Sequence, residues 1–333
     1  MNLKILTILK IIQMDIQFQY EVYIMSFKFI DLFAGIGGIR LGFENEGGQC
    51  VFSSEWDVHA QKTYEANFNE KPHGDITKIL PTSIPDHDIL LGGFPCQAFS
   101  IIGKMNGFDD TRGTLFFNVA NILKAKKPQA FMLENVKQLK SHDKGNTFKV
   151  IIKTLEDLGY KVHHTILNAL DFGVPQKRER AFIVGFLDHT INFEFPIGSE
   201  NYDLSKILEN DKNVESKFFV NDDIKQSRLN NLKKEAPKPS IWHQNISGNV
   251  SPLPYSCALR AGASYNYLLV NGVRRPTSRE LLRLQGFPEE FKIVVPYTQL
   301  RKQAGNSVAV PVIKKIAKSM MAAINDINQM SVA

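Results

Sequence analysis

Two stretches of this chain place reactive side chains at the ends of apolar, strand-type runs. Asp88-Ile-Leu-Leu-Gly-Gly-Phe-Pro-Cys96-Gln-Ala-Phe-Ser100 delivers a thiol just past two glycines. Ala130-Phe-Met-Leu-Glu134-Asn-Val136 delivers a carboxylate in the same manner. In open parallel α/β sheets, chemistry gathers at the C-terminal ends of the strands. A thiol there can act as a nucleophile, and a carboxylate beside it can handle a proton. Together they point to covalent attack on a polar, conjugated ring. Taken singly, each has a plainer reading. A lone cysteine is usually inert packing, and Glu134 alone is a strand-end surface carboxylate or an ion-pair partner. Gln176-Lys-Arg178-Glu-Arg180 alone is a solvated basic turn.

The elements that must position these groups follow from apolar patterning. Strands are expected at Lys28–Leu32, Cys50–Ser54, Ile89–Gly92, Ala130–Glu134, His163–Leu167 and Ala181–Gly185. Helices are expected at Ile39–Glu46, Val58–Asn67, Leu115–Lys126 and Thr147–Leu158. Such alternation predicts a doubly wound parallel α/β sheet with helices on both faces. The last two strands are expected to pair as an antiparallel hairpin. Residues 187–273 are richer in Asn, Ser, Lys and Pro and only weakly periodic. Regular structure returns after Arg274, with a helix opening near Thr277 or Ser278 and a last helix from Pro311 to about Asn325. The expected organisation is a main domain at 25–186, a smaller domain at 187–273 and a return to the main domain at 274–333. Residues 1–24 read as a non-native or upstream-start extension, because Met25-Ser-Phe-Lys-Phe-Ile-Asp31 looks like a natural start.

The chain has 333 residues, 43% of them hydrophobic and 22% charged, and carries a formal net charge of +6. That balance is compatible with a polyanionic partner. Cys50, Cys96 and Cys257 are too few and too scattered for a disulfide framework or a C-x-x-C zinc pattern. They indicate a reducing, cytoplasmic setting and no metal site. Cys50 and Cys257 are read as inert. The apolar stretch Leu3–Met14 is too short for a membrane span.

Phe29-Ile-Asp31-Leu-Phe33-Ala-Gly35-Ile-Gly37-Gly38 runs from a strand through glycines into a helix. This is the shape of a nucleotide-binding first turn, although the G-x-G-x-x-G spacing fails at Arg40. Glu55-Trp56 ends the second strand, where a carboxylate can accept ribose hydroxyls and an indole can stack on adenine. Gly74-Asp75-Ile76 lies near the expected end of a third strand. A ribose and an adenine without a pyrophosphate fit S-adenosylmethionine better than NAD.

From Met25 onward the chain resembles the bacterial DNA (cytosine-5) methyltransferases, its first half especially the branch that includes the HhaI methyltransferase. Nine ordered blocks carry the resemblance: Asp31-Leu-Phe-Ala-Gly-Ile-Gly-Gly38, Glu55-Trp-Asp57, Gly74-Asp-Ile76, Gly93-Phe-Pro-Cys-Gln97, Arg112-Gly-Thr-Leu115, Glu134-Asn-Val136, Gln176-Lys-Arg178-Glu-Arg180, Arg283-Leu-Gln-Gly-Phe-Pro288 and Gly305-Asn-Ser-Val308. The resemblance implies an α/β fold, a Rossmann-like S-adenosylmethionine-dependent methyltransferase domain with a mixed sheet and helices on both faces, plus a smaller target-recognition domain. It implies Cys96 as nucleophile, Glu134 at the ring nitrogen and amino group, Arg180 at the ring carbonyl and Arg178 beside them. Phe33, Gly35, Ile36, Gly38, Glu55 and Trp56 would form one part of the cofactor pocket. Asp75, Ile76, Pro95, Leu115, Asn306 and Val308 would form the rest. For Asn306, a helix cap after Gly305 is the competing reading.

The resemblance further implies a mobile loop from Gln97 to about Gly113, with Gln97 and Ser100 meeting DNA. Ile101-Ile102 depart from relatives that carry a polar residue before Gly103, and read as a wedge or as loop packing. In the smaller domain, Arg260, Ser264, Tyr265, Asn266 and Tyr267 are the candidate DNA-reading residues; Trp242-His243 are assigned no role. The expected substrate is double-stranded DNA, whose target base must be flipped out, and S-adenosylhomocysteine is the expected product of the donor. A separately acting restriction endonuclease, a monomeric state and no membrane association complete the picture. A tRNA cytosine-5 methyltransferase and a non-catalytic DNA-binding derivative are the alternatives.

Overall fold

The computed structural model describes residues 26–95 and 115–330, with side chains through 326. The extension at 1–24, Cys96, Gln97, Ser100, Ile101-Ile102 and the rest of the 97–113 loop lie outside the described residues.

The main sheet contains β1 (Phe27–Leu32), β2 (Gly48–Ser54), β3 (Ile89–Gly92), β4 (Ala130–Val136), β5 (Lys161–Asn168) and β7 (Glu179–Phe186), in the order β2-β1-β3-β4-β7-β5. The first four are mutually parallel, and β7 runs antiparallel to both β4 and β5. The hairpin expected from the sequence is present, with His163 opposite Val184. The sheet is therefore mixed, with a parallel half that carries the glycine loop and the β3 mouth running to Pro95.

Alternate residues of the central strands feed two apolar layers, as a doubly covered sheet requires. Phe29, Leu91, Met132 and Val184 pack with Ile39 and Phe43 of α1 (Gly38–Glu44) and with the C-terminal helix Val310–Met330. Ile30, Leu90, Leu133 and Ile183 pack on the opposite face against α3 (Leu115–Lys126) and α4 (Asn146–Asp157). Between β2 and β3, α2 (Val58–Phe68) starts at Asp57, whose carboxylate caps His59 and Ala60 N–H groups. The third strand expected near Gly74 does not form. A single parallel bridge joins Ser54 to His73, and the Asp75 carboxylate then caps a one-turn helix, Ile76–Lys78.

Residues 187–273 hold several one-turn helices, α5 (Asp222–Asn230) and a three-stranded antiparallel sheet. That sheet consists of β8 (Ile241–Gln244), β9 (Val250–Leu253) and β11 (Leu268–Val270), with β8 in the centre. Trp242 is buried there and donates to Ser240 Oγ at 3.0 Å, a packing position. Two short strands, β6 (Gln176–Lys177) and β10 (Ser256–Cys257), pair in parallel and tie this part to the main sheet.

The packing also continues past residue 273. Ile241, Leu259 and Tyr267 share a core with Leu281 and Leu284, and with Ala304 of α7 (Tyr297–Asn306). Short helix α6 (Ser278–Arg283) begins with a capping box between Thr277 and Glu280. Arg274, fully buried, bonds both Glu280 oxygens at 2.8 Å and Asp211 at 2.5 Å. The C-terminal helix Val310–Met330 is α8.

Candidate active site

The C-terminal ends of β1, β3 and β4 open onto a cleft of about 560 Å³. Its polar end is built from the sheet register. Val136 of β4 lies opposite Arg180 of β7, so Glu134, two residues back, shares a face with Arg180. Glu134 Oε1 is 2.9 Å from Arg180 Nε. Burial raises the pKa of Glu134, with Arg180 and then Arg178 pulling the other way. A protonated Glu134 is therefore easier to form than a surface glutamic acid.

Next to it, Gly93 would bring a Cβ within 3.4 Å of Glu134 Oε2, so the strand mouth passes directly over the carboxylate. Asn135 holds that mouth in place. Its Nδ2 donates to the Phe94 carbonyl at 2.8 Å, while its own Oδ1 accepts from Val136 N–H. Pro95 lines the cleft and is the last described residue before Cys96.

The other end of the cleft carries the glycine loop. Gly35 has φ +57, and a Cβ there would meet nothing within 4 Å, so the backbone borders open cleft. Its N–H donates to Glu55 Oε2 at 2.9 Å, and Asp57 N–H donates to Glu55 Oε1 at 2.8 Å. Each Glu55 oxygen keeps a further lone pair for a hydroxyl. Burial raises the Glu55 pKa, against the pull of those hydrogen bonds. Trp56 is 77% exposed, an indole face without protein cover. Asp75 stays easily ionised because the Thr77 hydroxyl and N–H donate to it.

Phe33, Ile36, Ile76, Leu115 and Asn306 also line the cleft. Gly38 and Val308 do not; they are buried behind it, and a Cβ on Gly38 would sit 2.9 Å from Val308 Cγ2. Asn306 is the last residue of α7 and is exposed, with Ser307 as the cap. The helix-cap reading of Asn306 therefore gives way to a cleft position.

Arg178 borders the same cleft with a different employment. Its guanidinium donates to the Leu259 carbonyl at 3.1 Å, to Gly305 at 3.2 Å and to Ser307. It is 2% exposed, and burial lowers its pKa, with Arg180 adding repulsion. Arg178 thus ties the smaller sheet's approach to the end of α7, while Arg180 faces Glu134.

Lys302 and Gln303 were not singled out from the sequence, yet both line the cleft. They lie four and three residues before Asn306, on the same turn of α7, and that helical spacing was the available signal. Lys302 bonds Asp57 at 2.6 Å across the cleft edge, and Gln303 pairs with Thr63 of α2 at 3.1 Å.

The candidate DNA-reading residues sit on the 260–267 loop before β11, which packs on the end of α7. A Cβ at Gly305 would come within 2.3 Å of Ala261 N, so only glycine allows this approach. The structure separates the five candidates. Tyr267 is buried in the core of the smaller sheet, and its hydroxyl accepts from Arg260 N–H at 3.2 Å, so it is a packing residue. Tyr265 has the Arg275 and Arg301 guanidinium groups each 4.7 Å from its ring centroid, and Asn266 Oδ1 accepts from Arg275. Both side chains are engaged by arginines from outside the loop. Arg260 lies over the Tyr267 ring at 5.1 Å, and the Ser264 hydroxyl has no hydrogen bond among the described residues.

Burial pushes the Cys50 thiol up to about 12 and the Cys257 thiol up to about 11, which keeps both protonated and unreactive. Among the described residues no cluster of side chains could hold a metal ion, and no helix is long and apolar enough to cross a membrane.

The sequence profile described as C-5 cytosine-specific DNA methylase matches residues 27–322. The chain belongs to that family. This DNA cytosine-5 methylase is 65% identical over 301 residues to the type II methyltransferase M.HaeII of Haemophilus aegyptius, covering 90% of this chain and 94% of the relative. It is 64% identical over 293 residues to the type II methyltransferase M.NgoBI of Neisseria gonorrhoeae, covering 88% and 92%. Among solved structures, a DNMT2 mutant from Spodoptera frugiperda shares the fold, with a TM-score of 0.70 at 21% identity over 89% of this chain and 99% of that one.

Proposed function

We propose that this methylase modifies carbon 5 of a cytosine flipped out of duplex DNA, through a covalent bond from Cys96 to carbon 6. The observation that carries this reading is the Glu134–Arg180 pair beside the β3 mouth that ends in Pro95, in one cleft with Glu55 and Trp56. One end suits a pyrimidine edge and the other suits a ribose and an adenine.

The residues would act as follows. The Cys96 thiolate adds to carbon 6, and the ring's electron pair shifts toward carbon 5 and ring nitrogen 3. Glu134, whose pKa burial raises, supplies or shares a proton at that nitrogen. Arg180 holds Glu134 in position and offers N–H donors toward the ring carbonyl. S-adenosylmethionine, when bound, supplies a methyl group already activated on a sulfonium, and S-adenosylhomocysteine leaves. Glu55 would hold its ribose hydroxyls, Trp56 would stack on adenine and Asp75 would accept from the adenine amine. Gly35 would leave room for the ligand beside the backbone. Loss of the carbon-5 proton, with departure of the Cys96 sulfur from carbon 6, restores the aromatic ring and frees the thiol.

The part at 187–273 serves as the target-recognition domain, with Arg260 and Ser264 offering free donors toward DNA. The two type II relatives support assignment to a restriction-modification system, with a cognate endonuclease acting separately on the same site. A cytoplasmic, monomeric enzyme is part of this reading. Labelled methyl transfer to duplex DNA, absent with tRNA and abolished by Cys96→Ala, is the expected outcome. Transfer to tRNA alone, or full activity in Cys96→Ala, would overturn it.

A further inference from the structure

We propose that Arg228 and the groove around it seat a backbone phosphate of the bound DNA, outside the base-and-cofactor cleft. This rests on the DNA-methylation reading above and adds to it a contact outside the cleft.

Arg228 lies in the last turn of α5 and is 6% exposed. Its Nη2 donates to the Asn266 carbonyl at 2.6 Å, while Nε has no partner among the described residues. Burial lowers its pKa. An arginine stays protonated under ordinary conditions, so among the described residues this buried cation has no counter-ion. Such a charge is costly unless an anion completes it.

The space for that anion is present. A groove of about 380 Å³ is bordered by Ser227 and Arg228 of α5, Gln244 at the end of β8, and Ser264 on the 260–267 loop. The Ser227 and Ser264 hydroxyls are exposed and make no hydrogen bond among the described residues. A guanidinium and two hydroxyl donors bordering one groove match a tetrahedral oxyanion. Asp223 also borders the groove and opposes the anion, but it is exposed and solvated. On the other side, Arg275 and Arg301 brace the loop and add positive charge.

The groove shares its loop with the cleft. Arg260 and Ala261, at the start of that loop, pack on Gly305, and Ser264 to Asn266 form the groove wall. A duplex whose target base enters the cleft therefore has a neighbouring stretch of backbone for Arg228 to meet. The contact carries no base information; it fixes the register of the duplex against the lobe.

The test is the salt dependence of methylation on a long unmethylated duplex. In Arg228→Gln, the slope of log KM for DNA against log salt should shrink by about 0.9, the value for one lost phosphate contact. The kcat at saturating DNA and the affinity for S-adenosylhomocysteine should stay as in the unaltered enzyme, and Arg228→Lys should restore the slope. Ser227→Glu, at an exposed position, should raise KM several-fold and flatten the slope without touching Arg228. A higher KM with an unchanged slope in Arg228→Gln would mean that Arg228 only braces Asn266, and would overturn the proposal. So would unaltered KM in Ser227→Glu. Absence of methyl transfer by the unaltered enzyme would instead strike the parent reading.

Discussion

Glu134 and Arg180 meet across neighbouring antiparallel strands, with Oε1 of the first 2.9 Å from Nε of the second. Neither is freely solvated, at 11% and 16% side-chain exposure. Burial sets the proton affinity of Glu134, and Arg180 limits the rise. Glu134→Gln should keep the fold and lower kcat for methyl transfer by about 100-fold or more, the usual scale for a lost acid–base group. Arg180→Met should lower it comparably and make Glu134 still easier to protonate. Single-turnover rates for both variants test this, and near-normal rates would remove the pair from the chemistry.

Trp56 and Trp242 are the two tryptophans of the chain, one 77% exposed and the other buried in the smaller sheet. Binding of S-adenosylhomocysteine should quench or blue-shift the emission, and Trp56→Phe should abolish that response. Glu55→Gln should weaken the affinity by about ten-fold or more, since hydrogen bonds to a charged group contribute about 1.5–3 kcal/mol. Fluorescence titration or calorimetry measures both effects. An emission change retained in Trp56→Phe would place the adenine elsewhere.

Arg178 satisfies the carbonyls of Leu259, Gly305 and Ser307. Arg178→Met leaves these groups without their donor, and each buried orphan costs about 1–3 kcal/mol. The expected result is a fall in thermal midpoint together with a raised KM for DNA, because the 260–267 loop and α7 lose their common anchor. A variant with wild-type melting and a loss confined to kcat would show Arg178 touching the base instead.

Asp31 carries a pH signature. It is fully buried, its two oxygens have no partner among the described residues, and burial raises its pKa from 3.8 to about 8. Below 3.8 the carboxyl is protonated in both folded and unfolded chains. Between 3.8 and about 8 only the unfolded chain has released the proton, so stability falls as pH rises through that window. The slope is at most about 1.4 kcal/mol per pH unit from this group. Asp31→Asn should lack this component and gain stability relative to the parent as pH rises. Urea midpoints across the window check the sign; a constant difference would mean that the nearby Arg40 charge, which opposes the effect of burial, keeps Asp31 ionised.

Much of the main domain was legible in the residue pattern. Ile89–Gly92 and Leu115–Lys126 fall where apolar periodicity placed them, because those segments are buried on the faces their pattern defines. The strand expected near Gly74 failed for a local reason: the Asp75 side chain competes for the backbone and turns it into a short helix. The cleft was legible wherever a motif sat at a strand end, as at Gly35, Glu55 and Glu134. Gly38 and Val308 lie in such motifs but pack behind the cleft, since a motif also contains residues that hold it together. Lys302 and Arg301 were missed because their partners, Asp57 and the 260–267 loop, are distant in sequence. The splitting of Tyr265 and Asn266 from Arg260 and Ser264 depended on where three arginines from other elements reach.

The central claim is that Cys96 forms a bond to the target cytosine. A duplex synthesised with 5-fluorocytosine in place of every cytosine blocks loss of the carbon-5 substituent, so the adduct cannot break down. Incubation with S-adenosylmethionine should give a denaturation-resistant protein–DNA complex, with the modified nucleotide on the peptide containing Cys96 by mass spectrometry, and none with Cys96→Ala. Methyl transfer to ordinary DNA without any trapped complex, or a complex that persists in Cys96→Ala, would contradict the account.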